Sequence, residues 1–348
     1  MPDDDADLPG LDLAALRTWL SAQGLHDGDV AAELIAGGRS NLTYAVDAGP
    51  HAWVLRRPPL GHVLATAHDM GREVTVLSAL DGTAVPVPRV VASCSDASVI
   101  GAPFYVMERV EGLILRTRPD VSRCSGGERQ VVADAMMDTL ALLHDVDPAS
   151  VGLEGFGHPE GFLGRQVRRW GQQMDRSRSR HVAGIDTLRV RLAASVPADP
   201  ASRSRSGIVH GDYRLDNLVL DPDTLDVAAV LDWEMSTLGD PLADLGLLLA
   251  YWEGLGSIPN PIADGAGPRA GFPAGEGLVA RYAAARGLDD ADLAALPWCT
   301  AFGYFKIAVI LEGIHYRFTK GQTTGAGFDR IGELVPPLVD GGLAALPR

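Results

Sequence analysis

The stretch from Val209 to Glu234 constrains this chain more than any other. It reads Val-His-Gly-Asp-Tyr-Arg-Leu-Asp-Asn, then Leu218-Val219-Leu220, a turn at Asp221-Pro222-Asp223-Thr224, a second apolar run at 227–231, and Asp232-Trp233-Glu234. Two short apolar runs around a turn of Asp and Pro predict a β-hairpin. Asn217 opens its first strand and Asp232 closes its second, so antiparallel pairing brings the two side chains to the same end. An amide oxygen and a carboxylate are hard ligands, suited to a Mg²⁺ that bridges nucleotide phosphates. Asp212, on the loop just before the hairpin, is placed to face a substrate hydroxyl.

The rest of the chain sorts into two halves. Leu13, Leu16 and Leu20 have helical spacing over residues 11–25 and predict a docking helix. From about Glu33 to Val110 the pattern is strands with one helix. Residues 42–46 and 52–56 flank a turn at Asp47-Ala48-Gly49-Pro50, Val74, Leu77 and Leu80 mark a helix over 70–80, and Phe104-Tyr105-Val106-Met107 is another strand. From Glu128 onward helices dominate. The expected class is therefore α+β, with a helical extension at 1–27, an N-lobe at 28–110 and a C-lobe at 111–348. Residues 195–206 read as a connection, and the Gly- and Pro-rich residues 257–275 as a lid or substrate loop.

Asp212 followed five positions later by Asn217, with Asp232 after the hairpin, resembles the catalytic loop and metal-binding Asp of protein kinases. It is more closely similar to the aminoglycoside phosphotransferase and choline kinase-like superfamily, whose loop reads H-G-D-x-x-x-x-N. The resemblance spans roughly residues 30 to 320 and implies a protein-kinase-like two-lobed fold, with an antiparallel sheet and helix in the N-lobe and a mostly helical C-lobe. It also implies an ATP- and Mg²⁺-dependent phosphotransferase in which Asp212 is catalytic and Asn217 and Asp232 hold the metal. Arg56 ends a strand as the kinase Lys does, and Glu73, seventeen positions on, would orient it; the neighbouring Arg57 stays open as the phosphate-facing cation. Ser40 and Asn41, after Gly37-Gly38-Arg39, would cover the phosphates, and the backbones of Glu108 and Val110 would pair with the adenine edge. Asp240 and Asp244 are expected to brace the loop, with His144 and His210 as structural residues. No G-x-x-x-x-G-K-[ST] occurs, which excludes the P-loop class.

Longer strings, among them Val54-Leu55-Arg56-Arg57-Pro58-Pro59 and Phe305-Lys306-Ile307-Ala308-Val309-Ile310-Leu311-Glu312-Gly313, resemble the branch associated with acyl-CoA dehydrogenases. That branch implies phosphorylation of the hydroxyl of a hydroxyacyl-CoA. The chain has a net charge of -15, yet residues 165–181 hold six arginines against the single acid Asp175. Arg165, Arg168 and Arg169 are thus candidates to bind the phosphates of an acceptor. Two alternatives remain open: an aminoglycoside or other antibiotic O-phosphotransferase, whose polycationic acceptor would favour acidic walls, and a nucleotide-binding pseudokinase or regulator. The intact Asp212, Asn217 and Asp232 argue against the last.

The net charge argues against a nucleic-acid partner. No apolar run reaches the length of a membrane span, since Lys306 interrupts the nearest, at 302–311. The acidic N-terminus, Met1-Pro2-Asp3-Asp4-Asp5, is unlike a signal peptide, and Cys94, Cys124 and Cys299 have no metal spacing, so a cytoplasmic location with buried thiols is expected.

Overall fold

The structure, a computed structural model, describes residues 8–35, 41–60, 69–198, 206–260, 262–322 and 329–347. The chain divides into two compact units. One is Met1–Glu111 with Ala229–Glu234, the other Gly112–Ala228 with Met235–Arg348.

The first unit is built on helix α1 (Leu13–Ala22), strands β1 (Ala31–Leu34), β2 (Leu42–Ala48) and β3 (His51–Arg57), helix α2 (Met70–Leu80), and strands β4 (Val90–Cys94) and β5 (Phe104–Glu108). The strands form one five-stranded antiparallel sheet in the order β1-β2-β3-β5-β4. Asp12 caps α1 by accepting the Ala15 N–H at 2.9 Å. The apolar stripe of α1 then buries Leu16 and Leu20 among Tyr44, Val46, Trp53, Leu55, Phe104 and Val106. Each such leucine contributes about 1.5–3 kcal/mol of burial.

Strand periodicity decides what the other face holds. Alternate residues of β3 point to opposite sides, so Trp53 and Leu55 join the α1 core while Val54 and Arg56 point away from it. Tyr105 is the cross-strand partner of Arg56 and shares its face. Asp69 caps α2 through the Arg72 N–H, and the helix buries Glu73 along with Val76, Leu77 and Leu80.

The second unit is mostly helical. It contains α3 (Arg118–Val121), α4 (Gly126–Asp145), α5 (Phe162–Ser177), α6 (Ile185–Ala194), α7 (Leu242–Leu249), α8 (Gly275–Arg286), α9 (Leu296–Thr319) and α10 (Val335–Ala345). Ser125 and Glu128 form a capping box at the start of α4. Helix α9 packs against α7, α10, α5 and α6 and is buried along most of its length. It crosses α7 closely because Gly246 and Gly303 meet there; a Cβ on Gly246 would lie 2.4 Å from the Cys299 backbone. Two short strands, β6 (Gly207–Val209) and β9 (Thr237–Gly239), pair antiparallel. Strands β7 (Leu218–Leu220) and β8 (Val227–Val230) form the hairpin read from the sequence, its turn closed by the Asp221 N–H on the Asp226 carbonyl at 2.9 Å. The three cysteines are buried, and none is in a disulfide among the described residues. Among the described residues no helix is long and apolar enough to cross a membrane.

Candidate functional site

The predicted residues gather into two clusters, one in each unit. In the first, β3 delivers Arg56 beneath α2. One terminal guanidinium nitrogen lies 2.9 Å from Glu73 Oε2 and the other 2.8 Å from Asp232 Oδ1. Glu73 is fully enclosed: Tyr105 donates its hydroxyl to Oε2 at 2.8 Å, and Asn41 donates its amide to Oε1 at 3.1 Å. The same amide reaches Glu234 Oε2 at 3.0 Å. Burial alone would pull the Arg56 pKa down, but the Tyr105 hydroxyl, Glu73 and Asp232 outweigh it and raise the value, so the cation is permanent. Asp232 sits at φ 67°, a left-handed conformation that non-glycine residues adopt at a cost of about 1–3 kcal/mol. Such strain gathers at functional positions.

Arg57, one residue on, points to the opposite face. It donates to the carbonyls of Gly10, Ile100 and Pro58, so the structure assigns the carboxylates to Arg56 and main-chain oxygens to Arg57. At the end of β5, the Glu108 side chain pairs with Arg89 while its N–H donates to the Arg89 carbonyl at 2.9 Å. The Val110 N–H donates to no group among the described residues. Ser40 and the glycines before it lie outside the described residues.

In the second unit, β6 leads into the loop that carries Asp212. Asp244, on α7, accepts the His210 N–H at 2.6 Å and the Gly211 N–H at 2.8 Å. His144 stands behind it, its Nε2 3.3 Å from Asp244 and its Nδ1 2.6 Å from the Tyr282 hydroxyl. Burial holds the His144 pKa below its ordinary value. His210 is fully buried, and its Nδ1 accepts the Asp212 N–H at 3.2 Å. Gly211 takes φ 85°, and a Cβ there would lie 2.6 Å from the Met235 carbonyl oxygen, so glycine is required. Tyr213 fastens the loop to α4 through its hydroxyl on the Met136 carbonyl at 2.7 Å. Asn217 turns its amide nitrogen onto Asp212, 2.9 Å from the backbone oxygen and 3.3 Å from Oδ2. The amide oxygen takes no part in these contacts, and an amide oxygen is a hard donor of the kind that suits a divalent cation.

Three residues near Asp212 escaped the sequence reading. Arg214 pairs with Asp216 and stacks 4.8 Å over the Tyr251 ring, and Asp212 acts on it electrostatically. Lys306, which the sequence showed as an interruption in an apolar helix and as part of a family-like string without a role, places Nζ 2.6 Å from the Gly211 carbonyl. Trp170 lies beneath that amine at 5.2 Å. A lone lysine in a buried apolar helix was the available signal.

The basic run divides. Arg165 donates to the carbonyls of His158 and Glu160 at the start of its own helix. Arg178 pairs with Asp186, and Arg180 forms a two-nitrogen contact with the buried Glu312 at 3.1 and 3.0 Å. Arg168 and Arg169 are exposed and have no ion pair among the described residues.

Comparison with known proteins agrees with this geometry. Residues 31–298 match the model of the Phosphotransferase enzyme family. Acyl-CoA dehydrogenase family member 11 of Homo sapiens is 35% identical over 311 residues, covering 89% of this chain and 39% of that protein. The chain thus spans about two-fifths of the length of such relatives. Among solved structures, a candidate aminoglycoside phosphotransferase from Ralstonia eutropha is 33% identical with a TM-score of 0.79, covering 96% of this chain and 98% of that one. The aminoglycoside phosphotransferase APH(3'')-Id of Streptomyces rimosus, in complex with ADP and streptomycin, shares the fold at 22% identity and a TM-score of 0.56, covering 85% and 99%.

Proposed function

The chain belongs to the phosphotransferase enzyme family, and on that premise we propose that it transfers the terminal phosphoryl group of ATP to the hydroxyl of a small acceptor, a hydroxyacyl-CoA. The observation that carries this reading is Arg56, a permanent buried cation joined to both Glu73 and Asp232. A strained carboxylate beside an oriented guanidinium suits a metal–phosphate group, where one atom set supplies negative charge and the other positive. In this reading Arg56 binds nucleotide phosphate, with Glu73 and Asn41 fixing its direction. Ser40 adds a hydroxyl, and the main chain of Glu108 and Val110 takes the adenine edge. Asp232 and Asn217 would hold Mg²⁺ through their oxygens, and the ion would supply positive charge at the phosphates. Asp212 accepts, or orients, the proton of the acceptor hydroxyl.

For the acceptor, support comes from the relatives named acyl-CoA dehydrogenases and from Arg168 and Arg169, exposed cations on an acidic chain. Together with Arg165 they form the proposed acceptor-phosphate patch. The proposed location is the cytoplasm.

The test is ADP release from Mg-ATP with a panel of hydroxyacyl-CoAs, free hydroxy acids, amino alcohols and aminoglycosides, with product mass confirming phosphorylation. A hydroxyacyl-CoA should turn over, and Asp212→Asn should lower kcat by roughly 10²–10⁴-fold with Mg-ATP affinity unchanged. Turnover of aminoglycosides alone would reassign the acceptor. Nucleotide binding without turnover of any acceptor would make the chain a regulator.

A further inference from the structure

Of the thirty Lys and Arg residues in this chain, only two are lysines, Lys306 and Lys320. Lys320 is exposed beyond the end of α9. Lys306 lies in the middle of that helix with 6% of its surface exposed. A chain that places arginine at nearly every basic position keeps an amine at this one, where a guanidinium would be bulkier and could not lose its proton.

The position is unusual as well. Gly211 is gripped at both of its polar atoms: Asp244 takes its N–H at 2.8 Å, and Lys306 donates to its carbonyl at 2.6 Å. That carbonyl belongs to the peptide group leading into Asp212. A glycine at φ 85° has no side chain to limit its rotation, so these two contacts fix the peptide that leads into Asp212, alongside His210 on the Asp212 N–H and the Asn217 amide on its carbonyl.

We propose that Lys306 is a positioning residue for phosphoryl transfer, holding the Asp212 loop through the Gly211 carbonyl and supplying the positive charge against which Asp212 works. The proposal rests on the role given to Asp212 above. The charges acting on the amine come from three elements. Asp212 on the loop and Asp244 on α7 favour its protonated form, and Arg169 on α5 opposes it. Trp170 offers a ring face, which attracts a cation without accepting its proton. Burial is the largest influence and brings the Lys306 pKa down to about 8. The amine is therefore charged at neutral pH and loses its charge within the range an enzyme can be assayed. A neutral amine still donates a hydrogen bond, so the loop survives deprotonation while the field at Asp212 does not. Any anionic phosphoryl group approaching Asp212 then meets a carboxylate with one cation fewer near it, Arg214 remaining.

The low lysine content makes the test direct. The full chain, labelled with ¹³C at lysine Cε, gives two lysine side-chain signals, and Lys320→Arg identifies them. One should titrate near pH 8 and the other near the ordinary value of about 10.4. With Mg-ATP and the best acceptor of the panel, kcat should fall as pH rises through about 8. Lys306→Met should lower kcat by about tenfold or more at neutral pH, with Mg-ATP affinity within about twofold of the parent. Lys306→Arg, charged at every accessible pH, should keep measurable activity and lose the alkaline fall. If Asp212→Asn is inactive while Lys306→Met keeps kcat within about twofold, the proposal fails and the role of Asp212 stands. If the parent turns over no acceptor, the phosphotransfer reading fails and the proposal with it. Should Lys306→Met not fold, an alkaline fall that persists in Lys306→Arg, or a Lys306 signal titrating at the ordinary value, overturns the proposal.

Discussion

Each unit holds a buried cation close to two carboxylates, Arg56 in one and Lys306 in the other, and the two arrangements behave in opposite ways. Arg56 touches its carboxylates directly, at 2.9 and 2.8 Å, and its planar fork serves both at once. Lys306 feels Asp212 and Asp244 only through space, and its one hydrogen bond goes to a carbonyl. Burial acts against the charged form in both. The Tyr105 hydroxyl and direct contact with two carboxylates outweigh it at Arg56 and raise the pKa; the distant charges of Asp212 and Asp244 do not outweigh it at Lys306, and the pKa falls to about 8. The partner sets the direction in which the pKa moves, while the residue type sets whether the cation can titrate: Arg57, bonded to carbonyls and shifted down by burial, stays charged because it is an arginine.

The most forceful way to break that comparison is Arg56→Met. It leaves Glu73 buried without its counter-charge, which costs about 3–5 kcal/mol. Hydrogen exchange of β3 and β5 should speed up accordingly, and unchanged exchange would mean that Glu73 is readily neutralised. Arg57→Ala comes next and sharpens the contrast, because Arg57 is an arginine bonded to carbonyls rather than carboxylates. It should cost about 1–3 kcal/mol with Mg-ATP affinity unchanged. A larger loss of nucleotide affinity than in Arg56→Ala would move the phosphate-binding role to Arg57. The smallest stability effect belongs to the paired change Arg168→Gln and Arg169→Gln, cations without an ion pair among the described residues. Stability should stay within about 0.5 kcal/mol. The acceptor KM should rise for a coenzyme A thioester, less so at high salt, and the Lys306 titration should move up because Arg169 no longer repels the amine. An unchanged KM would leave these arginines a solvated surface.

Much of this was readable from the chain. The hairpin and the helix over 70–80 follow from spacing and turn chemistry, because these are local signals. The bracing of the loop by Asp244 was legible from the segment after Asp232. The choice between Arg56 and Arg57 was not, since alternation says that neighbours face opposite ways without saying which way α2 lies. The partners of the basic run were illegible for a related reason. Its arginines look unbalanced in sequence, but Arg180 finds Glu312, far along the chain, and Arg165 finds carbonyls at its own helix start. Lys306 was visible as a charge inside an apolar helix, and only the packing of α9 on the loop tells what that charge meets.

The assignment of Ala229–Glu234 to the first unit has a consequence for how the protein is made. Translation delivers Arg56 and Glu73 early and Asp232 late, with residues 112–228 in between. At about 5–20 residues per second that interval is on the order of ten seconds. Throughout it the nascent N-terminal unit has one of the two anions its buried guanidinium will finally contact and lacks Glu234, the second acceptor for the Asn41 amide. The last fragment of the small unit to leave the ribosome is therefore also the one that completes its charge balance, and the helical unit is half synthesised before that happens.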